Sequence, residues 1–211
     1  MNHGPLIFLG ILFTFASAWC GLVLVPHQQL ADLAPNVSEE TGQSFPQARP
    51  GDAAQGARLY TSLGCVACHT QQVRPEDGGG DIARGWGSRR SVARDYLYDM
   101  PLQLGNQRLA PDLANYGERL GTNPPPYLHL YNPRAVTAGS FCSANPFLFT
   151  RRATNNTLSP DALRLRKGFE IEVGSELVPT READQLVAYL RSLRFAVGLP
   201  EAPLKTAEET K

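Results

Sequence analysis

The residues with the most chemistry at the tightest spacing are Cys65-Val66-Ala67-Cys68-His69. Two thiols two residues apart, followed at once by an imidazole, form the C-x-x-C-H attachment signature of a c-type haem. The thiols add across porphyrin vinyl groups, and the histidine is held under the iron as proximal ligand. A redox dithiol or half of a zinc site shares the C-x-x-C spacing. Neither needs the adjoining histidine, and no second C-x-x-C exists to complete a zinc tetrad. Two thiols remain. Cys20 lies in an apolar run and reads as a small helix- or lipid-facing residue. Cys142 stands alone in a polar region, and a spare thiol in an oxidising compartment calls for an explanation.

Helices must hold these groups. The run from Ala53 to Leu63 puts Ala53, Ala57, Leu59, Tyr60 and Leu63 along a helix that leads into the signature. Gly64 then allows a tight turn over the cofactor. A helix is expected at 159–169, with Ser159 as N-cap, Pro160 in the first turn and Asp161 complementing the dipole. The last helix, Arg181 to Leu193, is capped by Thr180. It carries an apolar stripe of Leu186, Val187, Tyr189, Leu190 and Leu193. The Gly/Pro-punctuated middle, 78–133, reads as ordered loop with short helices, and no strand alternation stands out.

The 20 basic and 20 acidic residues balance, which argues against a nucleic-acid partner. Leu6 to Val25 holds twenty residues without a charge, long enough to cross a bilayer as a helix. Ala16-Ser17-Ala18 has the form of a signal-peptide cleavage site. The n-region lacks Lys and Arg, however, and the apolar run continues past it, so an uncleaved single-pass anchor is the favoured reading. The chain is thus divided into an anchor (1–25), a polar tether (26–50), a haem domain (51–197) and a disordered tail (198–211). Haem is attached to c-type proteins outside the cytoplasmic membrane. The expected location is therefore the bacterial inner membrane with the haem domain on the periplasmic side. The expected fold is mainly α.

The first helix with C-x-x-C-H and the closing amphipathic helix together resemble a class I cytochrome c, in which those helices cross and haem sits in the loops between. A closer resemblance rests on Cys65-x-x-Cys68-His69-x-Gln71-x-x-Arg74-Pro75, Tyr98-Asp99-x-Pro101, Gly105-x-x-Arg108, Pro111-Asp112-Leu113, Gly117-x-Arg119 and His129-Leu130-Tyr131-Asn132-Pro133-Arg134. These segments are similar to subunit II of cbb(3)-type cytochrome c oxidases, the mono-haem, singly anchored subunit. The resemblance implies one covalent haem c and electron transfer from another c-type cytochrome to a haem–copper catalytic subunit. It implies that Pro111 offers its carbonyl to the proximal histidine, although alanine stands at Ala110 where class I cytochromes have glycine. Arg74, Arg108 and Arg134 become candidates for haem propionates. Trp86 and Tyr98 are candidates to pack on the ring or on neighbouring loops.

One departure matters. The family's distal methionine falls at Cys142, in Ser140-Phe141-Cys142-Ser143. Three readings stay open: a Cys142 thiolate on iron, Met100 supplying a thioether, or an empty, water-filled or His129-filled position with Cys142 merely packed. A thiolate favours Fe(III) and lowers the potential, so donor or acceptor would differ from the usual. The alternatives kept are the small cytochrome subunit of a nitric oxide reductase-like complex, a His/Cys haem enzyme or sensor in sulfur or gas chemistry, and a free-standing tethered shuttle.

Overall fold

A computed structural model describes residues 2–39, 41–121, 126–154, 157–195 and 197–204. The chain separates into two compact units. One comprises residues 1–46 with 93–97, and the other comprises 47–92 with 98–211.

The first unit is dominated by α1, Gly4–Leu30, a helix of mean hydropathy 2.2 with none of its apolar window buried. It is long and apolar enough to cross a membrane. The helix runs past the expected anchor end at Val25, even though Pro26 lies inside it. Proline lacks an N–H and clashes with the carbonyl four residues back. Here the chain loosens into a π turn over Cys20–Leu24, with the Val25 N–H donating to the Cys20 carbonyl, and so absorbs the proline without ending the helix. The expected tether is structured in part. Strands β1 (Asn36–Val37) and β2 (Ser44–Phe45) pair antiparallel, and the Arg94 guanidinium donates to the Ala34 carbonyl.

In the second unit, α2 (Gly51–Ser62) crosses the C-terminal helix (Arg181–Ser192). The contact is close because Gly56 meets the Gln185 carbonyl and the Tyr189 Cβ with no side chain of its own. The closing helix starts where Thr180 accepts from the Ala183 N–H at 3.4 Å, with Glu182 and Asp184 in its first turn. Its stripe of Ala183, Leu186, Val187 and Leu190 is buried against Tyr60, Leu113, Leu130 and Leu148. Between the two helices lie α3 (Tyr116–Leu120), α4 (Tyr127–Tyr131) and α5 (Pro133–Val136), set in long loops. The closing helix is α6.

Two expectations are corrected. The segment 159–169 is not helical. Its backbone is drawn to strand β4 (Ser175–Pro179): the Leu163 N–H donates to the Leu177 carbonyl at 2.7 Å, and the Ser159 N–H to the buried Glu176 carboxylate at 2.7 Å. The Leu163 N–H is thereby withdrawn from the Ser159 carbonyl that a helix would offer it. Strand β4 also pairs antiparallel with β3 (Phe149–Ala153), from Phe149↔Pro179 to Ala153↔Ser175, a ladder unmarked in the sequence pattern. The tail is ordered through 204. Leu199 and Ala202 exchange backbone hydrogen bonds and are both buried, while Arg89 donates to the Val197 carbonyl and Arg90 to that of Glu201. The rest of the expected disordered tail, 205–211, lies outside the described residues.

Candidate haem site

Helix α2 ends at Ser62 with Leu63 as its C-cap, and Gly64 turns the chain at φ 71°, a left-handed conformation that a β-carbon disfavours. A 3-10 turn over Cys65–Ala67 follows, and the His69 N–H donates to the Cys65 carbonyl at 3.0 Å. The two thiols and the imidazole thus sit on one short, backbone-bonded loop. A second loop braces it. The Gln71 N–H donates to Leu104 O, the Ala110 N–H to Cys68 O and the Leu113 N–H to Thr70 O. Asp112 is fully buried beneath, accepting from the Thr70 hydroxyl at 2.6 Å and from the Gln72 and Ala114 N–H groups at 2.8 Å each.

This bracing sets the imidazole. His69 Nδ1–H donates to the Pro111 carbonyl at 2.8 Å. That bond fixes the tautomer and leaves the Nε2 lone pair free to bind a metal. Burial lowers the His69 pKa, more than the Pro111 carbonyl and Asp112 raise it, so the neutral, ligating form is favoured.

Beside it opens a cavity of about 360 Å³ with mostly apolar walls, among them Tyr60, Trp86, Leu113, Leu130, Leu186 and Leu190; Cys65, His69 and Pro111 also line it. A smaller space of about 120 Å³ adjoins at Cys65, Cys68, His69, His129 and Cys142. Burial pushes the Cys65 thiol up to about 11, and Cys142 is the first of the charges that add to this. Cys142 and His129 are both half-buried. Met100 is 90% exposed and lines a different cavity, with Arg49 and Asp99.

The walls fit an amphiphilic macrocycle. One feature calls for an anion: Arg119 reaches the cavity and donates to the Trp86 carbonyl at 3.1 Å and to the Asp112 carbonyl, with its guanidinium 5.9 Å from the Tyr116 ring centre. Among the described residues it has no carboxylate within ion-pair distance, and a half-buried cation without one is costly. A neutral imidazole, an adjacent thiol pair, apolar walls and one arginine suit a haem with its propionates.

The comparison with known families decides the assignment. The model described as "Cytochrome C oxidase, mono-heme subunit/FixO" matches residues 6–186. The chain belongs to the FixO family. Among curated proteins nothing matches it. Membership makes it a mono-haem cytochrome c subunit of a cytochrome c oxidase, with α1 as its membrane anchor.

Within this FixO-family chain none of the three arginines named from sequence lines the cavity. Arg74 and Arg108 converge on Asp81, whose side chain is fully buried. Arg74 offers its backbone N–H at 2.8 Å and Nη2 at 3.1 Å, and Arg108 reaches both oxygens through Nη1 at 2.5 and 2.6 Å. Arg84 and Arg108 flank the Trp86 ring at 5.2 and 5.7 Å. Arg134 is exposed on α5, its N–H donating to the Asn132 side chain. Trp86 lines the haem cavity, whereas Tyr98 lines the cavity that holds Met100. Sequence reasoning quoted Gly117-x-Arg119 without assigning Arg119 a role. Its signal is its position two residues past Gly117, whose own Cβ would run into the Arg191 carbonyl of α6.

Asp81 gives a pH prediction. Burial raises its pKa, and the hydrogen bonds from Arg74 and Arg108 more than reverse this, holding the carboxyl well below the ordinary range. A depressed folded-state pKa contributes stability above the unfolded value of about 3.9 and loses it as pH falls below that. Circular-dichroism melts are expected to show the wild-type midpoint dropping steeply below about pH 4. An Asp81→Asn chain is expected to start lower at neutral pH and to fall less on acidification.

Proposed function

We propose that this subunit is a periplasmic, membrane-tethered electron relay. It takes electrons from another c-type cytochrome and passes them to the catalytic subunit of a cbb(3)-type haem–copper oxidase. Cys65 and Cys68 hold one haem c by thioether bonds, His69 is the proximal ligand and Cys142 the distal one. The observation that carries this is the His69 Nδ1–Pro111 hydrogen bond at the edge of an apolar cavity beside the thiol pair. The bound haem supplies a one-electron Fe(III)/Fe(II) couple. The polypeptide does the rest. Pro111 keeps the proton on Nδ1 and the imidazole oriented. Leu113, Leu130, Leu186 and Leu190 exclude water, and Arg119 offers a cation to a propionate. The family match favours an oxidase partner over the nitric oxide reductase-like complex.

A second distal reading has an observation of its own: His129 lines both the main cavity and the small space beside Cys142. Low-temperature EPR of the oxidised full-length protein in membranes separates the two. Under the proposal, intact-protein mass shows the porphyrin increment, Cys142→Ser changes the low-spin signal and His129→Phe leaves it unchanged. The opposite pattern makes His129 the ligand. Absence of the mass increment and of Soret absorption overturns the haem assignment itself.

A further inference from the structure

Among the described residues, two buried side-chain polar atoms lack a hydrogen-bond partner: the Tyr60 hydroxyl and Asp99 Oδ2. Native folds tolerate few such atoms, and each asks for a reason. These two lie at opposite ends of one connected set of side chains. Tyr60 forms part of the haem-cavity wall. Its ring packs on Tyr189 with centroids 5.3 Å apart. The Tyr189 hydroxyl bonds the Gln71 side-chain amide, beside Tyr60, at 2.9–3.0 Å. The Arg49 guanidinium lies 5.6 Å from the Tyr189 ring centre and pairs with Asp99 Oδ1. Oδ2 is left over. Asp99 and Tyr189 both line a separate cavity of about 150 Å³.

We propose that Asp99 is a proton-binding site that fills as the haem is reduced. The inference rests on the electron-relay reading of the site. Its balance is simple. A one-electron donor reduces Fe(III) to Fe(II), and the Asp99 carboxylate takes one proton from solvent to become a carboxylic acid. The added negative charge at the cofactor disfavours a second negative charge at Asp99, which Arg49 and the Tyr189 ring connect to the cavity wall at Tyr60. The cavity beside Asp99 has room for the water that delivers the proton.

The surrounding charges set the direction. Arg49 precedes α2, Arg58 and Thr61 stand on α2, Tyr98 and Gln103 share the Asp99 loop, and Tyr189 comes from α6. Burial raises the Asp99 pKa, and Arg49 opposes it. The net direction is upward. A tenfold difference in proton affinity between the two oxidation states corresponds to a total change of about 59 mV for a one-electron couple.

The test is potentiometry of the Soret and α bands of the holoprotein in detergent across pH. The wild-type midpoint is expected to fall as pH rises through the titration of Asp99. Asp99→Asn is expected to be flat at the wild-type low-pH plateau, and the exposed-site control Asp161→Asn to follow wild type. Identical slopes in wild type and Asp99→Asn overturn the proposal. Reduced-minus-oxidised infrared spectra of the wild type give a second reading without mutation. A protonated-carboxyl C=O band must grow on reduction and shift in D₂O, and its absence also overturns the proposal. A preparation without a Soret band instead refutes the haem reading on which this one rests.

Discussion

Gly56→Ala is expected to lower the thermal midpoint of the folded subunit by roughly 4–8 °C. At an exposed helical site the same change stabilises by about 1 kcal/mol, because alanine is the better helix former. At Gly56 the added Cβ would overlap the Gln185 carbonyl oxygen and come within 2.7 Å of the Tyr189 Cβ. Both atoms sit on or beside the α6 backbone, so no flexible side chain can swing away. The helices must part, and overpacking of that kind costs about 3 kcal/mol, which outweighs the propensity gain. The damage reaches the site because the same stretch of α6 carries Leu186 and Leu190 into the haem-cavity wall. Differential scanning calorimetry checks the sign. Gly139→Ala is the control, since a Cβ there meets nothing within 4 Å. A midpoint unchanged or raised by Gly56→Ala would show that the crossing is looser than the packing requires.

The crossing also shows what a sequence reveals and what it hides. Helix α6 is legible because its signals are local: Thr180 as cap and an apolar stripe at helical spacing, both found where the pattern puts them. Gly56 is invisible by the same logic. A glycine inside a helical run reads as a weak point until the partner carbonyl is in view. The false helix at 159–169 fails for the matching reason. Its cap and dipole residues suit a helix, but the Leu177 carbonyl on β4 claims the Leu163 N–H that the helix would bond to Ser159. Strands β3 and β4 hide because Phe149-Thr150-Arg151-Arg152-Ala153 has one buried residue and no alternation.

The arginines make the point at the site. C-x-x-C-H is contiguous, so its chemistry can be read without a fold. Which arginine meets the cavity depends on where the carboxylates are. Asp81 takes Arg74 and Arg108, while among the described residues Arg119 meets backbone carbonyls and a tyrosine ring. Nothing in the local spacing of those residues separates the two cases.

Cys142→Met should raise the haem midpoint potential by an amount on the order of 0.1 V, a modest part of the roughly 0.8 V that axial ligands command. An anionic thiolate donates charge and stabilises Fe(III), whereas a neutral thioether favours Fe(II) and raises the potential. The geometry narrows the choice of ligand. Met100 is 90% exposed and lines the cavity of Arg49 and Asp99 rather than the haem cavity. Cys142 lines the same small space as Cys65, Cys68 and His69. Spectroelectrochemistry of wild type, Cys142→Met and His129→Phe measures the effect directly. A thiolate ligand requires the first substitution to raise the potential and replace the low-spin EPR signal while the second changes little. If Cys142→Met leaves both potential and spectrum untouched and His129→Phe alters them, the iron is held by two histidines and Cys142 only packs. The size of the shift then bears on partner choice. A thiolate-depressed potential would place this subunit below an ordinary His/Met relay, so its donor must be correspondingly reducing for electrons to reach the catalytic subunit.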